Sequence, residues 1–338
     1  MPRVISQISF SFPLLLTSIF TPSDFNPAAI NSVSRETNGL CNFEVPSAWA
    51  AKISARFVTD LEPGIVTDAE TGFKPRNGAG QFVDEFICMI LSVYYLYMCG
   101  RFAQSKSIAD LVEEFGITGN PAFSPLPANW NIAPTNPIYI VRNNSRNVRE
   151  LSIASWGIIA PWIKEEAEAK ASQSRAINAR SESVFEKPTF RESFKSRRCL
   201  IPADGYYEWA TELGRYKTKQ PFYISNPNLK SLSIAGIWSQ WKSPNGDLIN
   251  SAAVITRDSV NELATIHNRM PVMMPRDRWD LWLDNSEHTI EELLALIENA
   301  KPDDGLHPWP VSDEVNKVAN NGPQLVNQIQ LSEPETLF

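Results

Sequence analysis

Apolar residues in the first 97 positions keep no sustained period. Pro, Ser, Asn and Gly interrupt them, and no stretch runs from one cap to another as a helix would. That pattern predicts a poorly ordered N-terminal extension over residues 1–97. After Cys99 the signal sharpens. Ile108, Leu111, Val112 and Phe115 fall at i, i+3, i+4 and i+7, with Ser107 placed to cap the helix and Gly116 to close it. Strand-like runs follow: "IYIV" (138–141) and "LSIASW" (151–156) around the turn-rich "RNNSRN", then "PFYIS", "SLSIAGIW" and "AAVIT". Thr189 and Glu192 have capping-box spacing and predict a short helix over "TFRESFKS". Further helices are expected over 258–266, 276–283 and 287–300. Strands and helices do not alternate strictly, so the expected class is α+β with a mostly antiparallel β core, not a doubly wound sheet.

A chain of 338 residues, 43% hydrophobic, can bury a full core and leaves room for one large domain or two ordinary ones. The apolar run "FICMILSVYYLYM" at 86–98 stops short of the ~20 residues needed to span a bilayer, so no membrane partner is expected. The N-terminal "MPRVISQISFSFPLLLTSIFTPSDF" holds a short apolar patch with no clear small-x-small cleavage site after it. Cys41, Cys88, Cys99 and Cys199 form no C-x-x-C pair and no metal-ligand spacing; neither a disulfide framework nor a metal site is indicated, and a reducing, cytoplasmic setting fits. A net charge of −7 argues against a protein that coats nucleic acid by bulk charge. Locally the balance reverses: Arg175 to Arg198 carries seven basic residues against three acidic ones.

Few residues could move protons. Of the three histidines, His288 and His307 attract no assignment, whereas His267 sits in "ATIHNRMPVMM", where a helix ends and Pro271 forces an extended segment. A structural histidine at that place would read the same way. In "CLIPADGYYEWA" a turn at Asp204-Gly205 leads into Glu208 among aromatic rings, where partial burial would raise a carboxyl pKa and suit it to general acid or base work; a solvated strand glutamate is the alternative. "AINARSES" gathers Asn178, Arg180, Ser181 and Glu182, groups that hold phosphates and orient sugars, although a charge-rich surface helix pair would look similar. Trp130, Trp156, Trp162 and Trp209 lie near loops, where an exposed indole can stack on bases.

Six blocks, "MCGRF", "NWNIAPT", "WGIIAPWIK", "INARSES", "RRCLIPADGYYEW" and "HNRMPV", occur in that order over roughly 99–320. Together they resemble the SRAP (SOS response-associated peptidase) family, abasic-site processing proteins that form DNA–protein crosslinks. The resemblance implies a single barrel-like SRAP domain over 99–320, with 1–97 outside it and 321–338 as a C-terminal tail. It implies covalent capture of abasic sites in single-stranded DNA, in DNA repair and the SOS response, by a monomer that uses no cofactor and associates with the nucleoid. In such proteins the cysteine after the initiator methionine is the N-terminus and forms a thiazolidine with the ring-opened sugar aldehyde. Carried onto this chain, Cys99 is the nucleophile, Asn178 positions the terminus, Glu208 is the general acid/base and His267 assists the proton transfers. Arg101, Arg180, Ser181 and Arg269 are candidate DNA contacts, and Trp162 and Trp209 candidates for ordering or wedging the strand.

The chemistry needs both the α-amine and the thiol of one residue. An α-amine of pKa ~7.8 is neutral about a tenth of the time at pH 7, against ~0.04% for a lysine near ~10.4. With residues 1–97 attached, the Cys99 nitrogen is an amide and cannot form an imine. Three readings follow: the start is placed too far upstream and Met98 is the initiator; the protein cuts its own leader, as a cysteine peptidase using Cys99, His267 and Glu208 would; or the leader is a genuine extension and the crosslinking activity is lost or replaced. A lyase activity is a further expectation of the resemblance.

Overall fold

The computed structural model describes residues 100–119, 121–211, 219–228, 231–298 and 301–331. The chain divides into two compact units, Met1–Leu96 and Tyr97–Phe338, and every described residue belongs to the second. The expectation for residues 1–97, and the positions of Cys41, Cys88, Met98 and Cys99, therefore lie outside the described residues.

In chain order the elements are β1 (Arg101–Gln104), α1 (Ile108–Glu114), β2 (Asn129–Ile132), β3 (Pro137–Asn143), β4 (Arg149–Trp156), α2 (Glu166–Arg175), β5 (Asn178–Arg180), α3 (Pro188–Ser196), β6 (Arg198–Ala203), β7 (Gly205–Trp209), β8 (Pro221–Ser225), β9 (Leu232–Lys242), β10 (Leu248–Asp258), α4 (Asn261–Ala264), β11 (Arg269–Pro271), α5 (Trp279–Leu283), α6 (Ile290–Ile297) and β12 (His307–Pro310). Pairing runs β10–β4–β3–β6–β9 and returns from β9 to β10, which closes a ring of strands. Only the β10–β4 step in that ring is parallel. β5 and β11 extend β10 beyond the ring. A second, wholly antiparallel sheet has the order β12-β8-β7-β1-β2. The fold is α+β with a barrel-like, mostly antiparallel core.

The ring strands are apolar on both faces, which is why "IYIV" reads as a continuous run and not as an alternation. On β3, Tyr139 and Val141 join the cluster that receives Leu111, Phe194, Trp282 and Leu293 from the helices; Ile138 and Ile140 join Phe102, Ile132, Tyr206 and Ile224 of the second sheet. Arg198 is buried where β6 meets α3 and α5, and its guanidinium donates to the carbonyls of Phe194, Lys195, Trp282 and Asp284. It is an internal cap for two helix ends, so one member of the basic stretch Arg175–Arg198 is not available to a ligand.

Ser107 caps α1 as expected, in a capping box with Asp110. Thr189 does not cap α3. Lys187 is its N-cap and Pro188 its first helical residue, since the fixed φ of proline starts a helix before the threonine is reached. The helix expected over 287–300 is α6, capped by a Thr289–Glu292 box, and that over 258–266 shortens to α4. The helix α2 has no counterpart in the hydrophobic pattern, because only Ala169 and Gln173 on it are buried and no apolar stripe exists to be read. The segment from residue 321, expected as a tail, carries the buried Leu325 and a hydrogen bond from the indole of Trp309 to the carbonyl of Val326. No helix among the described residues is long and apolar enough to cross a membrane.

Candidate functional site

Glu208 is the fourth residue of β7, a strand flanked by β1 and β8. Arg101 pairs with Tyr207, and the register carried one step further sets Gly100 opposite Glu208. The strand that begins just after Cys99 is thus laid directly beside the candidate acid/base. Beyond β7, the N–H of Thr211 donates to the carbonyl of Ile266 at 3.0 Å, and Ala210, Phe222 and Ile266 pack together. This join brings the "HNRMP" segment to the end of β7. Nδ1 of His267 lies 3.7 Å from Oε2 of Glu208, with both side chains buried. The same Nδ1 lies 3.1 Å from the backbone N–H of Arg269, from which it accepts when unprotonated, and 3.2 Å from the Arg269 carbonyl, to which it donates when protonated.

The "INARSES" block reaches the same place through β10. Asn178, Ala179 and Arg180 pair with Val254, Ile255 and Thr256 on one side of that strand, while β11 pairs on the other and sets Pro271 opposite Thr256. The carbonyl of Thr256 accepts from both the Ser181 N–H and Nη2 of Arg269, each at 2.8 Å. Arg269 makes a two-pronged pair with Glu182 at 2.8 and 3.0 Å and a second pair with Asp258 at 2.5 Å. Burial lowers the Arg269 pKa, but the two carboxylates more than offset it and leave the guanidinium above its ordinary value. For Glu182, burial acts upward, and the bond and charge of Arg269, its own backbone N–H and the charge of Arg180 outweigh it, holding the carboxyl below its usual range.

The candidate DNA contacts divide by environment. Arg180 and Trp162 are exposed, Trp162 at 55%, while Ser181 and Trp209 are half-buried. Asn178 is buried on β5. Arg269 is buried and neutralised by carboxylates, so a phosphate would have to compete for it. Arg101 is half-buried, with its guanidinium 5.8 Å from the centre of the Trp209 ring. Burial draws its pKa down, and Tyr207 acts in the opposite direction.

Cys199, the cysteine among the described residues, is fully buried on β6, and burial pushes its thiol far above the usual range. It is a packing residue, not a second nucleophile. His288 pairs with Asp284 at the surface, and His307 is exposed on β12. No group of three or more His, Cys, Asp or Glu among the described residues could hold a metal. Sequence reasoning passed over Asn131. It is buried on β2 and bonded to Arg101 and to three carbonyls of the segment 315–320. Its one signal was the "NWN" that opens "NWNIAPT".

The family model described as "SOS response associated peptidase (SRAP)" matches residues 98–318. Over 229 residues the chain is 33% identical to the abasic site processing protein YoqW of Bacillus subtilis, a match spanning 68% of this chain and 99% of that one. It is 30% identical over 230 residues to the mouse abasic site processing protein HMCES, covering 60% of this chain and 64% of that relative. Among solved structures, a Bacteroides thetaiotaomicron protein superposes with a TM-score of 0.60 at 24% identity, over 69% of this chain and all of the other. A Bordetella bronchiseptica protein does so with a TM-score of 0.54 at 25% identity, over 63% of this chain and all of the other. Six motif blocks in register, a family match over most of the described residues and a relative matched along nearly its whole length lead to one conclusion: the chain belongs to the SOS response associated peptidase family.

Proposed function

We propose that this protein captures abasic sites covalently in single-stranded DNA, with Cys99 as the reactive residue once it stands at the N-terminus. The observation that carries the reading is the buried Glu208–His267 pair beside β1, the strand that starts at Arg101, two residues after Cys99 in the sequence. The names of the relatives, abasic site processing proteins, support the substrate.

The chemistry divides between one nucleophile and two proton carriers. Glu208 gives a proton to the ring oxygen of the closed abasic sugar while the C1 hydroxyl gives its proton to water; the bond from C1 to the ring oxygen breaks and a neutral aldehyde remains. The α-amine of Cys99 attacks that carbonyl, and loss of one water gives an imine. The Cys99 thiol then adds across the C=N bond, sulfur to carbon and proton to nitrogen, closing a five-membered ring. The sequence is redox-neutral and releases a single water. His267 exchanges protons with Glu208 between steps, and Asn178 positions the amine. Arg180 and Ser181 hold phosphates on the exposed edge beyond β5.

A cysteine peptidase is the second reading, favoured by the same imidazole–carboxylate pair, which could activate a thiol to cut the bond before Cys99. One experiment separates them. A chain starting at Met98, with Cys99→Ser and Cys99→Ala beside it, is incubated with a single strand bearing one abasic site. The wild type is expected to give a species that survives denaturation and both variants to give none; absence of that species with the wild type overturns covalent capture. Leader cleavage retained by Ser and lost by Ala in the full chain supports the peptidase. The full chain with its leader attached is expected not to crosslink.

A further inference from the structure

Two arginines border the site and their surroundings differ in charge. Arg269 is paired with two carboxylates. Arg101 makes no ion pair among the described residues; both of its side-chain hydrogen bonds there leave from Nη1, to Oδ1 of Asn131 at 2.6 Å and to the carbonyl of Val315 at 2.9 Å. Both acceptors are neutral. They fix the orientation of the planar guanidinium without cancelling its charge, and they leave the Nε and Nη2 edge for a ligand.

Asn131 can do this because its own amide is held. Nδ2 donates to the carbonyls of Val315, Lys317 and Asn320 at 3.2, 3.0 and 2.9 Å, and the side chain is 1% exposed. Three acceptors on the amide nitrogen leave Oδ1 facing Arg101, so the amide cannot flip without losing all of them. The same C-terminal segment holds Trp209, whose indole N–H donates to Oδ1 of Asn316 at 2.7 Å.

We infer that Asn131 is a positioning residue for DNA binding: it clamps one edge of Arg101 with a neutral acceptor, so that the charged guanidinium meets a backbone phosphate next to the start of β1. The inference rests on the reading that this site binds single-stranded DNA and names what orients one of its phosphate-binding groups.

The test measures the salt dependence of binding of the full chain to an intact thymidine strand of about 12 nucleotides, a length that fills a typical single-strand site. Removing one cation–phosphate pair lowers the slope of log K against log salt by about 0.7. Arg101→Gln and Asn131→Ala are each expected to lower it by that amount, and the double variant by no more than Arg101→Gln alone, because a residue acting through Arg101 has nothing to act on once it is gone. Asn131→Asp, which sets a carboxylate against Nη1, is expected to show the same decrease and decides the matter if the alanine variant does not fold. Asn321→Ala loosens the same segment at its bond to the Trp130 N–H without touching Arg101, and its slope should equal that of the wild type. An unchanged slope in Arg101→Gln or Asn131→Ala, additive decreases in the double variant, or an equal decrease in Asn321→Ala each overturns the inference while the DNA reading stands. A wild-type chain that binds no strand overturns both.

Discussion

The imidazole of His267 meets the carboxylate of Glu208 at 3.7 Å, Nδ1 to Oε2, in a place from which both are shut off from solvent. When Nδ1 is unprotonated, it accepts from the Arg269 N–H at 3.1 Å. A proton arriving at Nδ1 must displace that bond and then faces Glu208 or the Arg269 carbonyl, 3.2 Å away. The two groups therefore lie within ion-pair distance of each other, in a site closed to bulk water.

Glu208→Gln keeps the size and removes the proton carrier. Covalent capture by a chain beginning at Cys99 should slow by about 10²-fold or more, the usual worth of general acid–base catalysis, while binding to the intact strand is retained. Single-turnover crosslinking followed on denaturing gels measures it. A wild-type rate would show that another group opens the sugar.

Arg180→Ala removes an exposed cation at the end of β5. Abasic and intact strands should weaken alike, with the salt slope reduced by about 0.7, because a phosphate contact carries no information about the missing base. Binding isotherms at several salt concentrations check this, and an unaltered slope removes Arg180 from the phosphate contacts.

Gly157, in the "WGIIAPWIK" block, is expected to be irreplaceable for packing and not for chemistry. Its φ is +116°, and a Cβ there would lie 2.2 Å from the carbonyl oxygen of Gln173 at the end of α2. Gly157→Ala combines backbone strain with a clash against backbone and should cost about 3–5 kcal/mol, lowering the melting midpoint by about 10 °C. Gly246, in the turn between β9 and β10, also has a positive φ, +92°, but open space around it. Its alanine variant should cost about 1–2 kcal/mol, from strain alone. Equal losses of stability in the two variants would contradict the close approach of Gln173.

Much of the candidate site was legible because its residues announce themselves by type. A histidine before an extended proline segment, a glutamate among aromatic residues after a tight turn, and an amide, a guanidinium and a hydroxyl within four residues each point to chemistry on local grounds. What joins them was not legible. Glu182 reads as one of the polar groups gathered in "AINARSES", with no sign of its partner, yet it ties that block to "HNRMP" through Arg269, 87 residues away. Asn131 carries no local signal beyond its place in "NWNIAPT", and the carbonyls that hold its amide are 184 to 189 residues distant.

By itself the sequence determined the local choices: which segments could cap, which runs were apolar on both faces, where proline ended a helix, and which side chains could carry a proton or a charge. These follow from backbone sterics and side-chain chemistry within a few residues. The tertiary structure alone decided the closing of the strand ring, the meeting of Glu208 with His267, and which arginine is paired with carboxylates. Those depend on strand pairings and hydrogen bonds between residues far apart in the chain, where no local period or propensity records the partner.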